Sequence, residues 1–141
     1  EQSNAKMLTQ LKGTKILLVE DHPINQMLAI KVLEDWGLDV DLAENGKIAL
    51  DKVSETDYAM ILMDISMPEM DGYTATQEIR TGKYTDNIDI PIVAMTASAL
   101  IGEKQKCYKA GMNDYITKPF EPQVLLEKIY NGVLTNNLQR A

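Results

Sequence analysis

The arrangement of this chain is decided by the stretch Ile61-Leu62-Met63-Asp64-Ile65-Ser66-Met67-Pro68-Glu69-Met70-Asp71-Gly72. Its first residues continue an apolar run that is typical of a buried strand, and the proline, acids and glycine that follow forbid the strand from continuing. Asp64 therefore stands at the tip of a strand. From these residues alone, it is either a carboxylate that caps the following turn or a reactive group.

Three other apolar runs end in polar side chains. Glu20 and Asp21 follow the first run, Thr96 follows the second, and Lys118 follows the third. Because the carboxyl ends of parallel strands meet at one edge of a sheet, these residues and Asp64 would bring three acids, a hydroxyl group and an ammonium group together. The sequence therefore predicts a site at this edge.

Strand-like and helix-like segments alternate along the chain. The predicted strands cover residues 15–19, 38–43, 58–63, 92–96 and 114–117, and five helices follow them near residues 23–36, 46–53, 72–80, 98–110 and 121–133. No hairpin signal joins neighbouring strands, which indicates parallel βαβ units with right-handed crossovers. The sequence thus predicts an α/β fold, in which a doubly wound, five-stranded parallel sheet forms the middle of a three-layer α/β/α sandwich.

The composition of the chain limits the classes of protein to which it can belong. The chain has 141 residues, of which 45% are hydrophobic and 25% are charged, as expected for one globular domain with a sizeable core. A net charge of −7 with scattered basic residues argues against direct nucleic-acid binding. The single cysteine, Cys107, allows no internal disulfide, and no apolar run is long enough to span a bilayer. We expect a cytoplasmic domain that makes no membrane contact itself.

The ends of the chain are predicted to lie outside the domain. We interpret residues 1–13 as a tail or linker remnant, residues 14–136 as the domain, and residues 137–141 as a C-terminal tail. Met7, Leu8 and Leu11 leave an alternative open, in which one helical turn docks on the domain. Because the chain begins with Glu1 rather than Met, we expect it to be a piece of a longer protein.

Three carboxylates at one edge need relief from their mutual repulsion. At about 4 Å, two carboxylates repel each other by roughly 4 kcal/mol at an effective dielectric constant near 20. Protonation, the ammonium group of Lys118 or a hard divalent cation would each relieve it, and Mg²⁺ suits a site with few carboxylates that also takes phosphate. With Mg²⁺ bound, Asp64 can act as a nucleophile and form an aspartyl phosphate. A hydroxyl group at Thr96 could then bond to the new phosphoryl group and draw its loop inward.

The chain resembles the receiver domains of the two-component response regulator family over residues 15–133. Five blocks carry the resemblance: Glu20-Asp21, Asp64 with Met67-Pro68, Asp71-Gly72, Thr96-Ala97 and Lys118-Pro119-Phe120. The resemblance implies a flavodoxin-like sheet with strand order 2-1-3-4-5. It also implies a phosphoacceptor in a two-component phosphorelay, which phosphorylates and dephosphorylates itself and is not a turnover enzyme.

The resemblance assigns roles to the acids. Asp64 would accept a phosphoryl group from a phosphohistidine. Mg²⁺, with Mn²⁺ as a substitute, would be ligated by Asp21, Asp64 and the backbone carbonyl of Ser66, while Glu20 would act through a water molecule.

It also assigns a conformational switch. Thr96 and Lys118 would contact the phosphoryl group, and Tyr115 would be the switch aromatic that moves inward when Thr96 is recruited. The Lys118–Pro119 peptide bond is expected to be cis.

The implied phosphodonor is a histidine kinase or a histidine phosphotransfer domain, and a protein-binding output face would surround strand 5 and its flanking helices. The run Glu20-Asp21-His22-Pro23-Ile24-Asn25-Gln26 is similar to receivers at the C-terminus of hybrid sensor histidine kinases. We therefore expect a parent that is itself a histidine kinase and can be membrane-anchored. A stand-alone single-domain regulator is the alternative. A Mg²⁺-dependent phosphatase with an aspartyl nucleophile is more remote, because Ser66 stands where such an enzyme needs a second acid.

Overall fold

The computed structural model of the chain describes residues 2–67, 69–98 and 100–140, in which five strands alternate with six helices. The strands are β1 (Lys15–Val19), β2 (Asp39–Ala43), β3 (Met60–Asp64), β4 (Ile92–Thr96) and β5 (Asp114–Thr117). The helices are α1 (Gln2–Leu11), α2 (Pro23–Asp35), α3 (Gly46–Glu55), α4 (Gly72–Arg80), α5 (Ile101–Ala110) and α6 (Pro122–Arg140). None of these helices is long and apolar enough to cross a membrane.

All five strands lie in one parallel sheet, in the order β2-β1-β3-β4-β5. This confirms the predicted doubly wound fold and its strand order. The order reverses between β1 and β3, which are neighbours in the sheet. At the carboxyl edge, Asp64 of β3 lies opposite Met95 of β4, and Thr96 lies opposite Thr117 of β5. The ends of four strands therefore meet at the edge where the site was predicted.

Helices cover both faces of the sheet because the central strands are apolar on both faces. β3 and β4 are buried at every position. Successive residues point to opposite faces, so that Leu17 and Ile61 join the core under α3, α4 and α5. Leu18 and Leu62 join the core under α1, α2 and α6. The sheet and the helices on its two faces form the three predicted layers, with one core on each side of the sheet.

The N-terminal segment differs from the tail that we predicted. α1 is a ten-residue helix, and its last residue, Leu11, is 1% exposed in the core under α2 and α6. Met7 and Leu8 pack against the same core, and the hydroxyl group of Tyr130 on α6 donates a hydrogen bond to Gln10 (2.7 Å). The segment is helical because its apolar residues fall on one helical face that the core can bury. The structure thus contains the docked helix and not a tail.

The C-terminal segment also extends further than predicted. α6 continues to Arg140, whereas the sequence analysis ended the domain at residue 136. Val133 packs in the core, and Asn136 is only 2% exposed. Because the helix is anchored this late, its last turn continues past the predicted boundary.

Candidate functional site

Three carboxylates meet at the carboxyl edge of the sheet. Asp64, the last residue of β3, is 4% exposed, and Glu20, directly after β1, is 2% exposed. Asp21 is partly buried beside them, and one oxygen atom from each of the three lies within 4.8 Å of the others. The structure therefore brings together the three acids that the sequence analysis named.

Lys118 supplies positive charge to this cluster. Its Nζ atom lies 2.8 Å from Glu20 Oε1 and 3.3 Å from Asp64 Oδ2. Its backbone N–H donates a hydrogen bond to the carbonyl oxygen of Thr96 (2.7 Å), which ties the end of β5 to the end of β4. The Lys118–Pro119 peptide bond is cis. A single ammonium group therefore bridges acids that come from two different strands.

The buried charges shift one another's pKa values. Burial raises the pKa of Asp64 to about 6, although the Ser66 amide and the ammonium group of Lys118 act in the opposite direction. Burial also acts to raise the pKa of Glu20, but the hydrogen bonds from Lys118 and from the His22 N–H, together with the charge of Lys118, outweigh it, so this pKa lies below its usual value. The pKa of Lys118 is raised, since its bonds to the two acids outweigh the effect of burial. Glu20 and Lys118 thus form the tighter ion pair, and the charge of Asp64 is the less well compensated one.

The loop after Asp64 packs its backbone against this acid. The Ser66 N–H donates a hydrogen bond to Asp64 Oδ1 (3.1 Å). Gly72 approaches so closely that a Cβ atom at this position would lie 2.5 Å from the Asp64 carbonyl oxygen. The Asp71 side chain caps α4 by accepting a backbone hydrogen bond (2.8 Å). Asp71 and Gly72 therefore shape the turn, while Pro68, which the sequence analysis assigned to the same turn, lies outside the described residues.

The two predicted switch residues have separate partners in this conformation. Thr96 is 3% exposed, and its hydroxyl group exchanges hydrogen bonds with the backbone N–H and carbonyl groups of Ser98 (3.1 and 3.2 Å). Tyr115 lies in β5, where the ammonium groups of Lys104 and Lys128 stand 4.9 and 5.4 Å from the centroid of its ring. Thr96 is thus bonded within its own loop, and Tyr115 is held by α5 and α6.

One apolar surface beside the acids was not predicted from the sequence. Ile24, Met27 and Leu28 of α2, named here the α2 patch, are 57%, 64% and 58% exposed. α2 begins just after the acid pair, and the side-chain amide of Gln26 donates a hydrogen bond to the backbone carbonyl of Glu20 (2.7 Å). The i, i+3, i+4 spacing of the patch was the available signal, but it also fits a core-facing helix stripe.

An apolar cavity continues from this surface. It has a volume of about 330 Å³ and lies between α2 and the start of α6, where Leu28, Val32, Phe120 and Pro122 contribute to its walls. Lys118 also lines it. The apolar surface of α2 is therefore continuous with the charged site.

The sequence around this site matches a known protein family. The family model described as the response regulator receiver domain matches residues 16–130, which include the three acids, Thr96 and Lys118. The chain is a receiver domain. The receiver therefore belongs to the two-component phosphorelay class of signalling proteins, as its sequence motifs implied.

Curated relatives of this receiver are histidine kinases. It is 40% identical over 134 residues to hybrid signal transduction histidine kinase I of Dictyostelium discoideum, an alignment that spans 92% of the chain and 8% of the kinase. It is 38% identical over 129 residues to the sensor protein GacS of Pseudomonas syringae pv. syringae, across 89% of the chain and 14% of that protein. The receiver thus spans a small part of the length of these relatives.

Solved structures share both the fold and much of the sequence. The receiver domain of the sensor histidine kinase PA1611 from Pseudomonas aeruginosa PAO1 has a TM-score of 0.79 and 41% identity, over 86% of this chain and 98% of that one. That structure has a magnesium ion coordinated in its active site cleft. The Saccharomyces cerevisiae receiver of Ssk1, solved in complex with the histidine phosphotransfer protein Ypd1, has a TM-score of 0.80 and 31% identity, over 89% and 92% of the two chains.

Proposed function

We propose that this receiver takes a phosphoryl group from a phosphohistidine onto Asp64. The observation that carries the proposal is the pairing of Asp64 and Glu20 with one ammonium group, at 3.3 and 2.8 Å. In the transfer, an oxygen atom of Asp64 forms a bond to phosphorus while the phosphorus–nitrogen bond breaks, and the donor imidazole keeps the electron pair of that bond. Lys118 offsets negative charge on the incoming group because its ammonium group already lies beside Asp64.

Mg²⁺ fits the donor atoms of this site. The three carboxylates provide the hard oxygen ligands that Mg²⁺ prefers, and the charge of Asp64 is incompletely compensated by Lys118. Asp21, Asp64 and the carbonyl group of Ser66 would hold the ion, with Glu20 acting through water. When bound, the ion neutralises negative charge on the phosphoryl oxygens. Mn²⁺ accepts the same oxygen ligands and would substitute for it.

The switch would convert this charge change into a change of shape. The hydroxyl group of Thr96 would exchange its bonds to Ser98 for a bond to a phosphoryl oxygen. Tyr115 would then move inward, away from Lys104 and Lys128. This step is supported by the present contacts of both side chains, because Thr96 bonds within its own loop and the Tyr115 ring contacts the flexible side chains of these two lysines as well as the ring of Tyr108.

The surface around β5 would carry the output. α5 and α6 flank this strand, and Leu100, Ile101 and Tyr108 expose 73%, 71% and 51% of their surface there. Exposed apolar side chains grouped in this way favour protein binding. Charged residues on the same helices, Lys104, Lys109 and Glu127, would set the choice of partner.

The phosphodonor would dock on the α2 patch. Any protein that brings an imidazole to Asp64 has to cover the adjoining edge of the sheet, and the first turns of α2 form part of that edge. A histidine kinase or a histidine phosphotransfer domain could bury Ile24, Met27 and Leu28 there. The net charge of −7 disfavours nucleic acid as a direct partner.

The parent protein would be a hybrid sensor histidine kinase. Its support is the likeness to receivers that form a small part of such kinases. In that setting the receiver would lie in the cytoplasm, while other parts of the parent could be anchored in a membrane. A stand-alone regulator remains the alternative, and a gene that encodes the receiver without a kinase would favour it.

Intact mass spectrometry tests the proposed chemistry. Acetyl phosphate with Mg²⁺ should add one phosphoryl group to the chain, and alkaline treatment or hydroxylamine should remove it. Chelation of Mg²⁺ or Asp64→Asn should abolish the adduct. Asp71→Asn is the matched control, because Asn keeps the helix cap at a neighbouring acid, and it should leave the adduct unchanged. An equal adduct on Asp64→Asn would refute the assignment.

A further inference from the structure

A hydrogen bond between two helices joins the acid loop to the predicted output face. The hydroxyl group of Tyr73, the second residue of α4, donates to Glu103 Oε1 in the first turn of α5 at 2.5 Å. The Tyr73 ring packs against the core cluster that contains Cys107 of α5, which is fully buried. Because the acceptor is a carboxylate, this bond belongs to the stronger class of hydrogen bonds in proteins.

The Tyr73 side of this bond is fixed to Asp64. Gly72 lies against the end of β3, since a Cβ atom on it would be 2.5 Å from the Asp64 carbonyl oxygen and 2.8 Å from Ile65 Cα. The Gly72 N–H also donates a hydrogen bond to the Ile65 carbonyl group (3.3 Å). α4 therefore cannot shift at its start without disturbing the acid loop.

The Glu103 side of this bond is connected to Thr96 through the loop that precedes α5. Thr96 bonds to Ser98, whose hydroxyl oxygen accepts a hydrogen bond from the Leu100 N–H (3.3 Å), and α5 begins at the next residue. If the Thr96 hydroxyl moves toward a phosphoryl group on Asp64, this loop and the first turn of α5 have to follow it. Lys104, next to Glu103, contacts the Tyr115 ring on the other side of the same turn.

We propose that the Tyr73–Glu103 hydrogen bond is a latch that holds α5 in its unphosphorylated position. The inference rests on the proposed function, because it defines the second position as the one that phosphorylated Asp64 favours. α4 stays with Asp64 while the first turn of α5 follows Thr96, so the bond between them is strained or lost in that second position. Removing the bond therefore raises the fraction of unphosphorylated molecules that already have the switched conformation.

Tyr73→Phe tests the latch because it removes only the hydroxyl group. NMR amide peaks of α5 and of Tyr115 are recorded for the wild-type chain before and after phosphorylation, which defines a line between two positions. In unphosphorylated Tyr73→Phe, the peaks should move along this line, corresponding to a ratio of switched to unswitched molecules about tenfold to a hundredfold larger, as expected for the loss of one hydrogen bond to a charged group.

Tyr130→Phe is the matched control. Its hydroxyl group also donates one hydrogen bond between helices, to Gln10 on α1, but it lies on the opposite face of the sheet. In Tyr130→Phe, the α5 peaks should stay at the wild-type positions. Glu103→Ala should move the peaks as Tyr73→Phe does, and the double variant should go no further than the stronger single variant.

The outcomes separate the latch from the function on which it rests. If the wild-type chain takes phosphate on Asp64 but the Tyr73→Phe peaks do not move along the line, the latch is refuted and the function stands. The latch would also be refuted if the population shifts of Tyr73→Phe and Glu103→Ala multiplied in the double variant, since the two residues would then act independently. A wild-type chain that takes no phosphate on Asp64 would overturn both proposals.

Discussion

Asp64 combines burial with an incompletely compensated charge. Lys118 lies closer to Glu20 than to Asp64, at 2.8 against 3.3 Å, and burial raises the pKa of Asp64 to about 6. A buried carboxylate in this state costs folding free energy, but it is available to bind a cation and to act as a nucleophile toward phosphorus. The property that destabilises the metal-free chain is therefore the one that its proposed chemistry uses.

Replacing this carboxylate should stabilise the metal-free chain at neutral pH. The pKa of Asp64 is raised from 3.8 to about 6 on folding, so its protonated form adds stability at low pH that is lost as the pH rises through that range. In chelator at pH 7.5, Asp64→Asn should raise the free energy of unfolding by about 1 to 3 kcal/mol, at 1.36 kcal/mol for each pKa unit.

Urea denaturation at two pH values measures this effect. The gain from Asp64→Asn should shrink at pH 4, where the wild-type carboxyl group is largely protonated. Asp71→Asn provides the control at both pH values, because Asp71 is exposed and Asn can still cap α4. If Asp64→Asn raised the free energy of unfolding equally at pH 4 and pH 7.5, or lowered it at pH 7.5, the buried charge of Asp64 would not be the cause.

Among the helices, α1 shows how packing determines structure that local pattern leaves open. An isolated helix of ten residues is marginal in water, so α1 depends on the core that buries Leu11 and contacts Met7 and Leu8. It lies outside the residues that the family model matches, which begin at 16. We therefore predict that the folded domain of this chain includes α1.

Leu11→Ala tests whether α1 belongs to the domain. Removing this side chain, which is 1% exposed, should lower the free energy of unfolding by about 2 to 5 kcal/mol because it leaves a cavity in the core. Lys6→Ala, at an exposed position of the same helix, should change it by less than about 0.5 kcal/mol. Equal effects of the two substitutions in chemical denaturation would show that α1 contributes nothing to the core.

At the scale of the whole molecule, the site was predictable because topology brings strand ends together. Glu20, Asp64, Thr96 and Lys118 are far apart in sequence, but parallel strands place their carboxyl ends at one edge. Apolar runs were enough to locate those strands, and the order of the sheet followed from the motifs that carry the family resemblance.

Contacts between helices were not predictable in the same way. Tyr73 and Glu103 are 30 residues apart, and neither stands in a pattern that requires a partner. The exposure of Ile24, Met27 and Leu28 depends on how α2 is rotated against the sheet, which an apolar pattern on several faces does not determine. The same applies to the docking of α1, since a short amphipathic segment gains its stability only from the surface that receives it.

The central claim is that Asp64, and no other acid, receives the phosphoryl group, and borohydride trapping tests it most directly. The reagent reduces an acyl phosphate to an alcohol, so a phosphorylated aspartate becomes homoserine. Trypsin should release residues 53–80 as one peptide, which also contains Asp57 and Asp71 as internal controls. Fragment masses should locate homoserine at position 64 only after treatment with both acetyl phosphate and Mg²⁺. Homoserine at position 57 or 71 of this peptide, or at position 21 in the peptide of residues 16–31, with an intact aspartate at 64 would contradict the account.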